Sequence, residues 1–384
     1  MGTFIAHLVN DEKFIDMAYR QFADVSMYEN RFFILAKTKK LRFIKTTPVE
    51  FISSQMAIKV MNSDECKAVI LHSLHPKFVP LLNFIPKNIP VIWFGLGYDY
   101  YKLLLKKAYP KGLLLPQTKR VLLRTRLSNF LSFRHGTFKG YFLNLVINNL
   151  RGSINRINYF SPVLDTEYQI AIKHNPWFRA KFLCWNYGSI ENDLSDSGQE
   201  NVNLGNNVLI GNSATPENNH VEIFEKLRNI DGISNKKIVV PLSYGDEKYR
   251  NEIIKIGRNY FGDNFVPLLN FLTKEEYLTL LNSCGYVFMN HIRQQAVGNI
   301  VIMMIKGAKI FINSDSPTYQ WFYKQGAVIY PINDNMIDSI WNELTVLDKK
   351  KNYDVAYKNW GKINQEKKTI NLLNLISKYD EIIT

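Results

Sequence analysis

The stretch Cys284–Asn313, CGYVFMNHIRQQAVGNIVIMMIKGAKIFIN, reads as a buried strand, a polar loop, an apolar helix and a second buried strand. A strand that returns through a helix to another buried strand calls for a parallel α/β sheet. In such sheets ligands sit where a strand's carboxyl end hands over to a helix N-terminus, because unpaired backbone N–H groups and the helix dipole there favour anions. This handover carries Arg293, Gln294, Gln295, Gly298 and Asn299, which suggests a phosphate-bearing small molecule. Arg293 follows the apolar YVFMN and precedes a helix, so it has few structural duties and suits a phosphate contact.

The same alternation runs through the rest of the chain. Thr3–Val9, Arg31–Ala36, Lys67–His72 and Pro90–Gly95 read as strands, with helices expected over Asp11–Phe22 and Pro48–Met61. Strands resume at Ile157–Ser161 and Phe182–Tyr187. The second half repeats the pattern, with strands at Val208–Ile210, Lys237–Leu242 and Phe265–Leu268, and a capping box, Thr273 with Glu276, opening the helix to Asn282. Strands alternating with helices argue a doubly wound sheet. The segment Ser189–Asn207 is polar, acidic and rich in Asn, Gly and Ser, and reads as a linker, placing a domain boundary near Gly205. The expectation is two Rossmann-like domains, 1–204 and 205–355, and a helical tail, 356–384; a chain of 384 residues suits that count.

A net charge of +14 implies an anionic partner. Between Tyr100 and Leu164 there is no Asp or Glu, and basic residues, Lys106, Lys107, Arg124 and Arg126 among them, are interleaved with Leu, Phe and Tyr. That composition suits a helix lying on an anionic membrane surface; the plainer reading is a solvated basic face over an ordinary core. Nucleic acid is the third option, but no nucleic-acid-binding motif accompanies the charge. The start lacks a basic region before a long apolar stretch, and no window approaches a spanning helix, so any membrane contact is expected to be peripheral. Cys66, Cys184 and Cys284 lie far apart with no CxxC, which fits a reducing, cytoplasmic compartment.

Two further handovers in the second half carry small polar groups: Gly211-Asn212-Ser213, with His220 downstream, and Ser243-Tyr244-Gly245. Parallel strands open all three on one sheet edge, where a base, a sugar and a diphosphate could lie together. For Gly211 and Gly245 a purely conformational duty stands beside the ligand role. In the first half, WFGLGYDYY places Asp99 after a buried strand, either as a general base for an acceptor hydroxyl or as a helix N-cap. His7, His72 and His75 also sit at or beyond strand ends. The chain has no D-x-D after an apolar strand, no H-x-x-x-H, no Cys/His cluster and no G-x-S-x-G, so a metal-dependent mechanism and a serine hydrolase are disfavoured and no cofactor is expected.

VLIGNS with Asn218 and His220 downstream, then VVPLSYG, EEYLTLLNSC, and Arg293-Gln294-Gln295 with Gly298 occur in an order and spacing that resemble glycosyltransferase family 56, from about Val208 to Trp321. Trp93, Gly97, Asp99 and Tyr101 look like the family's post-strand segment in the first domain; Asn299 stands where the family has threonine. The resemblance implies a GT-B architecture, with the two domains facing across a cleft and the C-terminal helix packing back on the first. It implies transfer of N-acetylfucosamine-type 4-amino sugar (Fuc4NAc) from a TDP-sugar to a polyprenyl-diphosphate-linked saccharide at the cytoplasmic face of the bacterial inner membrane, as in enterobacterial common antigen synthesis. An anionic lipid acceptor would account for the acid-free basic stretch. In GT-B enzymes helix N-termini and basic side chains usually neutralise the departing diphosphate in place of a metal. A UDP- or GDP-sugar donor in capsule or lipopolysaccharide assembly is the alternative within the same fold.

Overall fold

The computed structural model describes residues 2–37, 40–130, 150–194, 203–333 and 340–381. They fall into two compact units, the first within Met1–Pro110, Gly136–Ser189 and Trp360–Thr384, the second within Lys111–His135 and Ile190–Asn359.

The strands of the first unit are β1 (Phe4–Val9), β2 (Glu29–Leu35), β3 (Val49–Ile52), β4 (Cys66–His72), β5 (Val91–Phe94), β6 (Tyr159–Ser161) and β7 (Lys181–Phe182). Those of the second are β8 (Asn207–Ile210), β9 (Ile238–Pro241), β10 (Phe265–Leu268), β11 (Cys284–Met289), β12 (Lys309–Ile312) and β13 (Tyr330–Pro331). The helices are α1 (Ile15–Ala23), α2 (Ser54–Met61), α3 (Pro116–Phe130), α4 (Asp165–His174), α5 (His220–Leu227) and α6 (Glu247–Phe261). They continue with α7 (Lys274–Asn282), α8 (Val297–Ile305), α9 (Pro317–Lys324), α10 (Val346–Trp360) and α11 (Lys362–Glu381).

Each unit is one all-parallel sheet, ordered β3-β2-β1-β4-β5-β6-β7 in the first and β10-β9-β8-β11-β12-β13 in the second. The central strands carry continuous apolar runs, FIAHLV in β1 and CGYVFM in β11, as strands covered on both faces require. In the first unit, Ile5, Phe22, Ile70 and Trp185 bury against Leu372, Leu373 and Ile376 of α11, so the C-terminal helix packs back as expected. In the second, Val208, Ile210, Val240 and Phe288 meet Phe224 of α5 and Tyr249 of α6.

Several expectations change in detail. The helix expected from Pro48 gives way to β3, whose VEFI favours a strand, and α2 starts only after Ser53, whose hydroxyl caps Met56 N–H. The second unit takes in Ile190, ahead of the boundary expected near Gly205, and also the segment around α3. There Val121 and Leu122 enter the second unit's core, while Thr118 N and Oγ1 donate to the Glu222 carboxylate at 2.9 and 2.7 Å. An acid placed on the first turn of α3 balances its positive helix end. Val121 and Leu122 of α3 are thus spent on a core, while Leu123 and Arg124 on the same helix are exposed. The Thr273–Glu276 capping box forms with both hydrogen bonds, at 3.2 and 2.8 Å.

Candidate functional site

In the second unit the strand order reverses between β8 and β11, which are neighbours although β9 and β10 lie between them in sequence. Open α/β sheets bind ligands outside the carboxyl ends of the strands at such a point. The loops there are Gly211–Asn219 after β8 and Asn290–Ala296 after β11.

Gly211 turns the chain at φ 67, and a Cβ on it would lie 2.6 Å from Asn218 Oδ1 and 2.8 Å from His220 Nε2. Only glycine combines that backbone conformation with that approach. Asn218 joins the two loops. Its Nδ2 donates to Thr215 Oγ1 at 2.8 Å and to Thr215 O at 3.0 Å, which fixes the amide's orientation. Its Oδ1 then accepts from Asn212 N at 2.9 Å and from His291 Nε2–H at 2.8 Å. Asn219 and Asn290 exchange amide-to-carbonyl bonds at 3.1 and 3.2 Å, and Asn313 Nδ2 donates to Asn290 Oδ1 at 2.9 Å. The result is a braced frame of amides beneath the strand ends.

The frame leaves specific groups at the edge. Gln295 Nε2 donates to Asn212 Oδ1 at 2.8 Å and to Thr215 Oγ1 at 3.0 Å, while its buried Oε1 has no hydrogen-bond partner. Asn212 Nδ2 donates to the Tyr244 hydroxyl at 3.1 Å, and the Tyr244 ring stacks on Phe271, with centroids 6.1 Å apart and planes 15° from parallel. Both rings are exposed, as are Leu269 and Leu272 on the same β10–α7 connection. Gly245, at φ 123, pairs with Ala214 and ties the Tyr244 turn to the β8 loop. Arg293, half-buried, donates from Nη1 to Gln294 O at 3.0 Å. Ala296 enters α8 at φ 59, a conformation costly for a residue with a Cβ and common at ligand sites. Gly298, in the first turn of α8, is exposed, and a Cβ there would meet nothing closer than Leu194 at 3.8 Å.

The expected donor-side residues thus gather at one edge, with distinct duties. Gln295, Tyr244, Asn212 and Arg293 lie at this edge, with Ser243 half-buried beside Tyr244. Buried Ser213 bonds Thr215 at 2.8 Å, buried Gln294 backs the Arg293 guanidinium, and Asn299 reaches away to the Tyr277 hydroxyl at 3.0 Å. His220 is wholly buried against the Tyr249 hydroxyl at 3.1 Å, and burial pulls its pKa down to about 3. His291 is also held neutral, by burial first and then by Arg293 and His220. The sequence reading missed His291, Asn290 and Asn313, since asparagines in a loop look like turn residues, and missed Phe271, since an exposed aromatic after a short strand carries no periodic signal.

In the first unit, Asp99 is already taken up. Its Oδ2 accepts from Leu74 N and Trp93 Nε1, each at 2.8 Å, and its Oδ1 from Leu96 N at 2.9 Å. It braces the loops after β4 and β5 and does not cap the helical turn that starts after Tyr100, which has no side-chain cap. His7 and His72 are buried and paired, Nδ1 to Nε2 at 2.9 Å. Lys106 and Lys107 are exposed on a short helical turn and Arg124 is exposed on α3, whereas the Arg126 side chain lies outside the described residues. Among the described residues no three His, Cys, Asp or Glu groups are placed to hold a metal ion, and no helix is long and apolar enough to cross a membrane.

Residues 179–369 match the family described as 4-alpha-L-fucosyltransferase, glycosyl transferase group 56. Among solved structures, the chain is similar to the N-terminal domain of Candida albicans trehalose-6-phosphate phosphatase, at 12% identity and a TM-score of 0.65 over 99% of this chain and 97% of that one. An alpha-glucosyltransferase in complex with UDP-glucose and DNA containing an abasic site matches at 12% identity and a TM-score of 0.58, over 97% and 100%. Anabaena Alr3699/HepE in complex with UDP-glucose matches at 11% identity and a TM-score of 0.59, over 97% and 99%. At such identities the likeness shows a shared fold, GT-B.

Proposed function

We propose, since the chain belongs to glycosyltransferase group 56 and is a glycosyltransferase of GT-B fold, that its second unit binds a nucleoside diphosphate sugar, with TDP-Fuc4NAc as the leading donor. The carrying observation is the convergence of Arg293, Gln295, Asn212 and the exposed first turn of α8 at the β8–β11 reversal. On this reading Arg293 and the N–H groups around Gln294 to Asn299 meet the diphosphate charge, so the group that departs is neutralised as it leaves. Gln295 Oε1, buried without a donor, takes a hydroxyl of the donor, because an orphan acceptor costs about 1–3 kcal/mol until it is satisfied. The Tyr244–Phe271 stack offers a face to the base.

The acceptor on this reading is a polyprenyl-diphosphate-linked saccharide used in bacterial surface polysaccharide synthesis, taken up by the first unit. Lys106, Lys107, Arg124 and Arg126 hold the protein peripherally on the anionic cytoplasmic leaflet where such a lipid resides, each basic residue contributing about 1 kcal/mol near the surface. A ring stack accepts any base, so a UDP- or GDP-sugar donor is the second reading. Thermal denaturation with TDP-, UDP- and GDP-sugars, followed by product analysis with a polyprenyl-diphosphate disaccharide, separates them. A melting shift and product with TDP-Fuc4NAc support the first reading; a shift with UDP- or GDP-sugars alone moves the donor to the second.

A further inference from the structure

The first unit has its own reversal of strand order, between β1 and β4. Asp11 and Glu12 follow β1 at that edge, and Asp99 reaches it by its bond to Leu74 just beyond β4. Asp11 is occupied by the loop that follows β2, accepting from Arg42 N at 2.6 Å, Phe43 N at 2.9 Å and Ile44 N at 3.0 Å. Asp99 is occupied by Leu74, Trp93 and Leu96. The carboxylate of half-buried Glu12 has one hydrogen bond among the described residues, from the Tyr98 phenol to Oε1 at 3.2 Å, which leaves Oε2 free to accept.

The groups around Glu12 suit a polyhydroxylated ligand. Asn10 Nδ2 at the end of β1 is buried without a partner. Ser73 follows β4 at φ 88, and its buried hydroxyl has no partner of acceptable hydrogen-bond geometry although the Tyr98 phenol lies near it. Tyr187 is oriented by a chain of bonds whose direction can be worked out. Asn30 Nδ2 donates to Tyr28 O, so its Oδ1 accepts from His7 Nε2–H at 3.1 Å. His7 Nδ1 then accepts from His72 Nε2–H at 2.9 Å, and His72 Nδ1 accepts from the Tyr187 hydroxyl at 2.8 Å. With its proton committed to His72, the Tyr187 oxygen offers lone pairs only. The edge thus holds two unspent donors and two acceptor groups, which a saccharide with free hydroxyls can pair.

We infer that Glu12 is the general base of glycosyl transfer: its carboxylate takes the proton of the acceptor hydroxyl as that oxygen attacks the donor's anomeric carbon. The bond from the anomeric carbon to the phosphate oxygen breaks with its electron pair, which leaves on the nucleoside diphosphate, and the protonated Glu12 later returns its proton to solvent. Burial raises the Glu12 carboxyl above the usual carboxylate range, against the opposing pull of Tyr98 and Lys13 and with a push from Asp11 and Asp99. A base poised higher is better matched to a hydroxyl. Asp99 is a positioning residue, acting through the loops that carry Leu74 and Leu96.

The inference rests on the transferase reading and not on which nucleotide the donor carries. The test compares wild type, Glu12→Gln and Glu12→Asp with the panel of TDP-, UDP- and GDP-sugars and the polyprenyl-diphosphate disaccharide, reading kcat against pH and the melting shift given by each nucleotide sugar. The expected result is an unchanged melting shift in Glu12→Gln, a fall in kcat of about 100-fold or more, loss of the wild-type acid limb, and partial rescue in Glu12→Asp. Turnover in Glu12→Gln near wild type with the same acid limb overturns the assignment while leaving the donor site standing. A wild type that neither shifts nor turns over with any of the panel overturns the donor reading, and Glu12 as base with it.

Discussion

Gly211 sets how closely the β8 loop can approach Asn218 and His220, and it offers a direct check on the amide frame. Gly211→Ala places a Cβ at φ 67 and against Asn218 Oδ1, so we expect a loss of about 1–3 kcal/mol in urea denaturation together with weakened nucleotide binding. An unchanged midpoint would mean that the loop has another conformation open to it. Asp99→Asn replaces an oxygen that receives two donors, or one that receives a third, with an amide that donates. A drop of about 2 kcal/mol or more is expected in the same assay; equal stability would return Asp99 to the list of candidate bases. Arg293 was legible in the sequence because an arginine after a buried strand has so few other uses. Glu12 was not, since it lies where a helix was expected, and its value comes from the saturation of its neighbours, which only coordinates reveal.

Among the elements, β1, β4, α5 and the β11 loop carry four wholly buried histidines, His7, His72, His220 and His291, each with its pKa lowered, burial being the largest cause. His7 and His220 fall to about 3. The folded protein therefore binds fewer protons than the unfolded chain below the ordinary imidazole value of 6.5, and stability falls as pH drops from there toward the folded values. His7 and His220 each contribute a loss of about 1.4 kcal/mol one pH unit below that point, and His72 and His291 act in the same direction. Urea midpoints measured at neutral pH and about one to two units lower should decline steeply; a flat profile would mean that these rings are protonated in the fold. The strands were readable because buried parallel strands are continuous apolar runs. The helix α3 was harder, because its partner acid, Glu222, comes from α5 and not from the acid-free stretch itself. The strand β3 was hidden by the helix that follows it after Ser53.

For the molecule entire, two Rossmann-like units could be read from alternation, and the return of the C-terminal helix to the first came with the family resemblance, but the membership of the segment around α3 could not be read, because the chain crosses between units more than once. The charge of +14 finds its use, on our reading, at an anionic membrane. Neutralising Lys106, Lys107, Arg124 and Arg126 together should reduce cosedimentation with phosphatidylserine-containing vesicles by about an order of magnitude or more, given about 1 kcal/mol per basic residue. Unchanged cosedimentation would remove the membrane role and leave the donor site untouched. The central claim is that the β8–β11 edge holds a nucleoside diphosphate through Arg293. Calorimetric titration of TDP, UDP and GDP into wild type and Arg293→Ala tests it most directly. We predict binding of at least one of them to wild type, weakened by roughly 10- to 150-fold in Arg293→Ala with an unchanged urea midpoint, as loss of a charge-assisted phosphate contact of about 1.5–3 kcal/mol requires; equal affinity in the two proteins would contradict it.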